Sequence, residues 1–180
     1  LRRAKEFGLE IPASVTYDFG AVMARMRKLR ARISQNDSAH RYAKLGVDIY
    51  IGNGHFVGND RIQVAGPSGD RTLTFAKAAI CTGARASAPP TPGLQEAGYL
   101  TNETVFSLTE LPQRIGVIGA GPIGCELAQS FARFGSQVYL VEAAHGIMPN
   151  EDRDAAEIIE QQIARDGVKL LCCGKHLQVE

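Results

Sequence analysis

A chain of 180 residues, 44% hydrophobic and with a formal net charge of +1, has the size of one ordinary domain or of parts of two. Its balanced charge gives no general pull toward nucleic acid or an anionic membrane. No apolar run approaches the roughly 20 residues needed to span a bilayer, and Leu1-Arg2-Arg3 leads into charged, mixed sequence rather than a signal core. Cytosol is the expected compartment, with no nucleic-acid or membrane partner.

Asp18 is placed to cap a long helix. Phe19, Val22, Met23, Met26 and Ile33 recur at helical spacing, and the stretch runs on through Tyr42 and Leu45 to a stop at Gly46. Its other face carries Arg25, Arg27, Lys28, Arg30 and Arg32, which reads as a solvated surface. The texture then changes to short β-type runs: Val47 to Ile51, Arg61 to Val64, Arg71 to Phe75 and Lys77 to Cys81. Turn residues separate them at Gly52-Asn53-Gly54, Gly58-Asn59-Asp60 and Pro67-Ser68-Gly69-Asp70. Ala88 to Asn102, rich in proline and glycine, reads as an interdomain linker.

From Arg114 the pattern becomes strand, helix, strand, helix, strand. Ile115 to Ile118 is an apolar run of the kind buried in parallel sheets. Pro122 suits a first helical turn, and Ile123, Leu127 and Phe131 follow at four-residue spacing to a stop at Gly135. Val138 to Val141 is the second strand. Asn150 is placed to cap the next helix, with Glu151 and Asp152 in its first turn and Gly167 as its stop; Val168 to Cys172 is the third strand.

The chemistry sits between the first strand and its helix. Gly119-Ala120-Gly121-Pro122-Ile123-Gly124 fits G-x-G-x-x-G in the strand-to-helix context that gives the motif meaning. Gly119 serves a tight turn, Gly121 close approach of a pyrophosphate, and Gly124 close helix–strand packing. The helix start offers unpaired N–H groups and a positive dipole end to the phosphates. Glu142 ends the second strand, where a carboxylate accepts hydrogen bonds from an adenosine ribose and repels a 2′-phosphate. NAD(H) is therefore expected over NADP. His145, nearby, reads as a surface residue.

The cysteines are Cys81, Cys125, Cys172 and Cys173. No pair has CxxC spacing, and neighbours such as Cys172 and Cys173 point to opposite faces of a strand. Buried, reduced thiols are expected.

These residues resemble the pyridine nucleotide–disulfide oxidoreductases of class I, the flavoproteins that include dihydrolipoamide dehydrogenase, glutathione reductase and mercuric reductase. Ala78 to Arg85 looks like the family strand that ends in Ala-Thr-Gly beside FAD. Pro90 to Leu94 looks like the segment after it, and Gly119 to Glu142 like the nicotinamide fingerprint. Tyr99 to Leu108 and Ile123 to Ala128 are most like the mercuric reductase branch. The resemblance implies that Thr82, Gly83 and Ala84 lie along the flavin nucleotide. It also implies that Gly54 meets the adenine of FAD, that Glu126 lies near the nicotinamide, and that Ile123 packs where the ring enters.

The implied fold is α/β: a Rossmann-type βαβ unit with a parallel sheet, joined to a partial FAD-domain segment with a long helix and small antiparallel strands. The implied domains are 1–110, part of an FAD-binding domain without its first glycine fingerprint, and 111–180, the first half of an NAD(P)-binding domain. The redox cysteine pair and the C-terminal interface domain of the family are absent from these residues. The chain thus reads as a central piece of a homodimeric flavoenzyme that passes hydride from NADH to flavin and on to a disulfide, a thiol-bound metal or another acceptor. By itself it is expected to be inactive, and no catalytic or metal residue is assigned. Two alternatives stay open: a non-catalytic NAD-binding or regulatory module, and a flavin NADH oxidase or ferredoxin-reductase-like enzyme.

Overall fold

Asp18 begins the first long helix as its residue type suggests, its Oδ1 accepting the backbone N–H of Ala21 at 3.0 Å. Helix α1 spans Phe19–Ser34. The computed structural model describes residues 4–12, 16–173 and 177–179. These divide into two compact units, one of Leu1–Arg27 with Ala86–Glu180 and the other of Lys28–Arg85.

In the 28–85 unit the helical run is two helices rather than one. Gln35 to Ser38 breaks it, and α2 (Ala39–Lys44) restarts with Ser38 as N-cap, its hydroxyl accepting the Arg41 N–H at 3.2 Å. Asn36, Asp37 and Ser38 bond their own backbone readily, which gives the chain an alternative to continued helix. Strands β1 (Asn53–Phe56), β2 (Arg61–Ala65) and β3 (Arg71–Thr74) form an antiparallel sheet in that order. The turns at 57–60 and 67–70 fall where their residues predict them, with Gly69 at φ 95°.

Two expected strands are not formed. Val47 to Ile51 has no strand, and the supposed turn at 52–54 instead supplies Asn53 and Gly54 to β1, where Gly54 pairs with Val64. The hairpin register fixes this, because the bend at 57–60 must place Phe56 opposite Ile62. Lys77 to Cys81 also has no strand. Its apolar β-type sequence has no edge to pair with among the described residues, and Ile80 is 72% exposed.

In the other unit the segment 88–102 holds a short helix, α3 (Leu94–Ala97), that buries Leu94. Strands β4 (Arg114–Ile118), β5 (Gln137–Glu142) and β6 (Lys169–Cys172) are parallel and adjacent in that order. They are joined through α4 (Pro122–Phe134) and α5 (Arg153–Arg165). Right-handed crossovers that step the same way across a sheet lay their helices on one face. Ile115, Val117, Val138, Leu140 and Leu170 accordingly belong to the core, with Val138 and Leu140 fully buried, while Ile118 and Leu171 stay 41% and 51% exposed. The first strand is thus covered on one face, not two.

Helix α4 buries Cys125, Ala128, Phe131 and Ala132, so its inward stripe is offset from the expected one and Ile123 stands exposed. Phe131 and Phe134 receive Phe19 of α1 at centroid distances of 6.1 and 5.4 Å. Gly135 ends α4 at φ 106°. The α5 cap is Asp152, not Asn150, and Asp154 is the acidic residue of its first turn. The chain before it turns at Met148, whose φ is 46°.

Candidate functional site

At the end of β4 the chain turns through Gly119, whose φ of 99° lies in the left-handed region that side chains avoid. Gly124 is required for a different reason. A Cβ there would overlap the carbonyl oxygen of Gly119, so the close approach is of helix to loop more than of helix to strand. Above Gly121 there is open space: a Cβ would meet nothing within 4 Å. Gly121 is the N-cap of α4 and makes no side-chain cap, so the first-turn N–H groups are left without an internal acceptor.

Ala120, between the glycines, is the anchor that the motif alone does not reveal. It is fully buried. Its N–H donates to Glu142 Oε2 at 2.8 Å. Its carbonyl accepts the Met148 N–H at 2.8 Å and the Cys125 thiol at 3.4 Å. The glycine loop is therefore fastened to the end of β5, to the β5–α5 loop and to the floor of α4. Burial, helped by the Glu142 carboxylate, pushes the Cys125 thiol up from its ordinary value, so it stays protonated as a donor.

Glu142 is half-buried and uses both oxygens on backbone. Oε1 accepts the Ala144 N–H at 3.0 Å, beside the Ala120 bond on Oε2. The N–H groups of Ala144 and Ala120, in that order, hold its carboxyl below the usual range. An ionised carboxylate has about four acceptor positions, so beyond the Ala144, Ala120 and Ala143 N–H groups one remains for a hydroxyl donor.

The expected site residues fall into two groups. Gly119, Ala120, Gly121, Pro122, Ile123, Gly124 and Glu142 converge at the C-terminal edge of the parallel sheet, and Glu126 stands exposed on α4 just beyond them. Gly54, on β1, and Thr82, Gly83 and Ala84, in exposed irregular chain, belong to the 28–85 unit. Gly83 has the positive φ of 65° that its residue type permits.

The cysteines differ from expectation. Cys125 alone is buried, Cys172 is half-buried, and Cys81 and Cys173 are exposed. The opposite-faces rule fails at Cys172–Cys173 because β6 ends at Cys172 and Cys173 swings to φ 63°. Their sulfurs lie 3.6 Å apart, with His145 Nδ1 3.3 Å from Cys173 Sγ.

A parallel strand, a left-handed glycine turn, an open helix start and an acid closing the next strand define a Rossmann-type βαβ unit. Residues 10–178 match the family model described as pyridine nucleotide-disulphide oxidoreductase, and the chain belongs to that family. It is 35% identical to the probable pyridine nucleotide-disulfide oxidoreductase RclA of Escherichia coli, over 76% of this chain and 32% of that protein. It is 33% identical to a mercuric reductase of Bacillus cereus, over 75% of this chain and 21% of that protein. Among solved structures, a Cu(II) complex of the HOCl-induced flavoprotein disulfide reductase RclA from Escherichia coli superposes with a TM-score of 0.74 at 31% identity, covering 91% of this chain and 37% of that one. The chain thus spans between about a fifth and two fifths of the length of these relatives. Among the described residues no helix is long and apolar enough to cross a membrane.

Proposed function

We propose that residues 111–180 are the first half of the nicotinamide-dinucleotide domain, and residues 1–110 part of the FAD domain, of a flavin-dependent oxidoreductase that takes hydride from NADH. One observation carries this reading: the open space over Gly121 at the uncapped start of α4, next to Ala120, whose N–H holds the Glu142 carboxylate. The pyrophosphate lies against the first-turn N–H groups of α4, where the helix dipole favours negative charge. Glu142 accepts from the adenosine ribose with its spare acceptor position and disfavours a 2′-phosphate, which makes NAD(H) the partner rather than NADP. Ile123, exposed at the helix start, offers an apolar surface to the nicotinamide, with Glu126 next to it on α4.

Bound flavin would supply hydride acceptance and onward electron transfer to a disulfide, a thiol-bound metal or another acceptor. On this chain Gly54, Thr82, Gly83 and Ala84 are the residues assigned to it, on family resemblance and on the positive φ at Gly83. The exposed free thiols suit a reducing cytosol.

Gly121→Ala tests the dinucleotide site. The added methyl enters empty space in the free protein, and because Gly is preferred to Ala at an N-cap the change costs about 0.5–1 kcal/mol, so the variant folds with a Tm lowered by only a few degrees. It occupies the place of the pyrophosphate, so calorimetric NADH binding falls by about a hundredfold, about 2.7 kcal/mol. A correctly folded Gly121→Ala protein that binds NADH as the parent sequence does would sink the assignment.

A further inference from the structure

We propose that His145, Cys172 and Cys173 form a three-ligand site for a thiophilic divalent cation of the zinc class, beside the ribose end of the proposed dinucleotide site, where Cys172 pairs with Glu142 across the sheet. Two neighbouring segments at the C-terminal edge of the parallel sheet bring the ligands together. Cys172 is the last residue of β6 and Cys173 the first beyond it. His145 lies in the loop that leaves β5, and the Cys173 N–H bonds the Ala144 carbonyl at 3.3 Å, joining the two segments. The left-handed φ of 63° at Cys173 is a conformation a β-carbon-bearing residue rarely takes. It turns the Cys173 sulfur back beside that of Cys172 instead of across the strand.

The spacing matches coordination. His145 Nδ1 is 3.3 Å from Cys173 Sγ, the two sulfurs are 3.6 Å apart, and all three ligand atoms lie within 4.8 Å of one another. A tetrahedral ion with Zn–S of about 2.3 Å and Zn–N of about 2.0 Å sets two sulfurs about 3.8 Å apart and sulfur from nitrogen about 3.5 Å apart. The cluster therefore reproduces two edges of that tetrahedron within a few tenths of an ångström. Two thiolates and an imidazole select a soft or borderline ion over magnesium or calcium, which take oxygen ligands. Exposure of Cys173 gives the ion a path from solvent. Three protein ligands leave a fourth corner for water or an exogenous group, as in open zinc sites. On binding, each thiol exchanges its proton for a metal–sulfur bond and His145 coordinates as neutral imidazole. About two protons are released per ion, with no change of oxidation state.

Zn(II) titrated into the full chain under a phosphine reductant, against a chromophoric chelator, is expected to show one tight equivalent and release of about two protons. Cys81→Ser, which removes the other exposed thiol, leaves this unchanged. His145→Ala and Cys173→Ser, both outside helices and strands, each weaken binding about a hundredfold or more, beyond the usual cost of losing an outer-shell partner. Because Cys172 lies in β6, Cys172→Ser is read only alongside a circular dichroism spectrum. Co(II) in place of Zn(II) gives thiolate-to-cobalt charge transfer and the intense visible bands of a tetrahedral site. Absence of a tight equivalent in the unsubstituted chain overturns the proposal. So does a tight equivalent that survives His145→Ala with Cys173→Ser, or a weak octahedral cobalt spectrum.

Discussion

Glu142 has two tasks at once. Its carboxylate ties the glycine loop to the end of β5 through the Ala120 and Ala144 N–H groups, and it faces the place assigned to the adenosine ribose. Glu142→Ala is expected to narrow the preference for NADH over NADPH in calorimetric titrations; an unchanged ratio of affinities contradicts the ribose role. The structural task is separable by pH. The carboxyl is held below its ordinary value, so its stabilisation is fully present above the unfolded pKa of about 4.3 and disappears as pH falls through the lower folded value. Glu142→Gln should therefore cost about 1 kcal/mol at neutral pH, discounted for partial exposure. The gap to the parent sequence in urea unfolding should shrink toward zero in acid; a gap that persists at low pH would point to packing instead. Gly119 and Gly124 were legible in the sequence because backbone geometry demands their residue type. Ala120 was not. Its role lies in an N–H and a C=O, which every residue except proline carries, and only the fold shows where they point.

At the scale of elements, α4 and α5 are locked by Asp166. This buried carboxylate, at the C-cap of α5, accepts from Gln129 Nε2 at 2.8 Å and Arg133 Nε at 2.9 Å, both on α4. Burial alone would raise its pKa; the hydrogen bonds from Arg133 and Gln129 outweigh that and hold it below the usual carboxylate range. Arg133 is 53% exposed and rehydrates when its partner is lost. Asp166→Ala is therefore expected to cost about 1–2 kcal/mol rather than the larger penalty of a stranded buried ion. Chemical denaturation at neutral pH measures it, and a change below a few tenths would show that the contact contributes no net stability. Elements with strong punctuation were readable in advance. Gly135 and Gly167 mark the ends of α4 and α5 by residue type, and β5 and β6 fall within a residue of their expected bounds. Val47 to Ile51 was misread because β-type composition makes a strand only where a partner edge exists, and pairing is a long-range fact.

Across the whole chain the burial of side chains is uneven. The unit that holds β4 to β6 carries a continuous core through Phe19, Phe131, Val138, Leu140 and Ile163. In the 28–85 unit Val64 is the one buried hydrophobic side chain among the described residues, while Leu45, Ile51 and Ile80 are 66–72% exposed. Hydrogen-bonded strands do not by themselves resist opening, because water replaces their bonds at little net cost; apolar cover makes opening expensive. Amide hydrogen exchange should therefore be slowest in β5 and the inward face of α4. The strand pairs of β1, β2 and β3 should exchange orders of magnitude faster despite their regular register. Equal protection in the two sheets would mean that the exposed apolar residues of 28–85 are covered in solution. The contrast bears on function as well. The residues assigned to the nicotinamide dinucleotide sit on the well-buried sheet and can be preorganised by it. Those assigned to flavin sit on exposed chain. NADH should thus protect the α4 start and the Glu142 loop from exchange, and leave the amides of Thr82, Gly83 and Ala84 as fast as before.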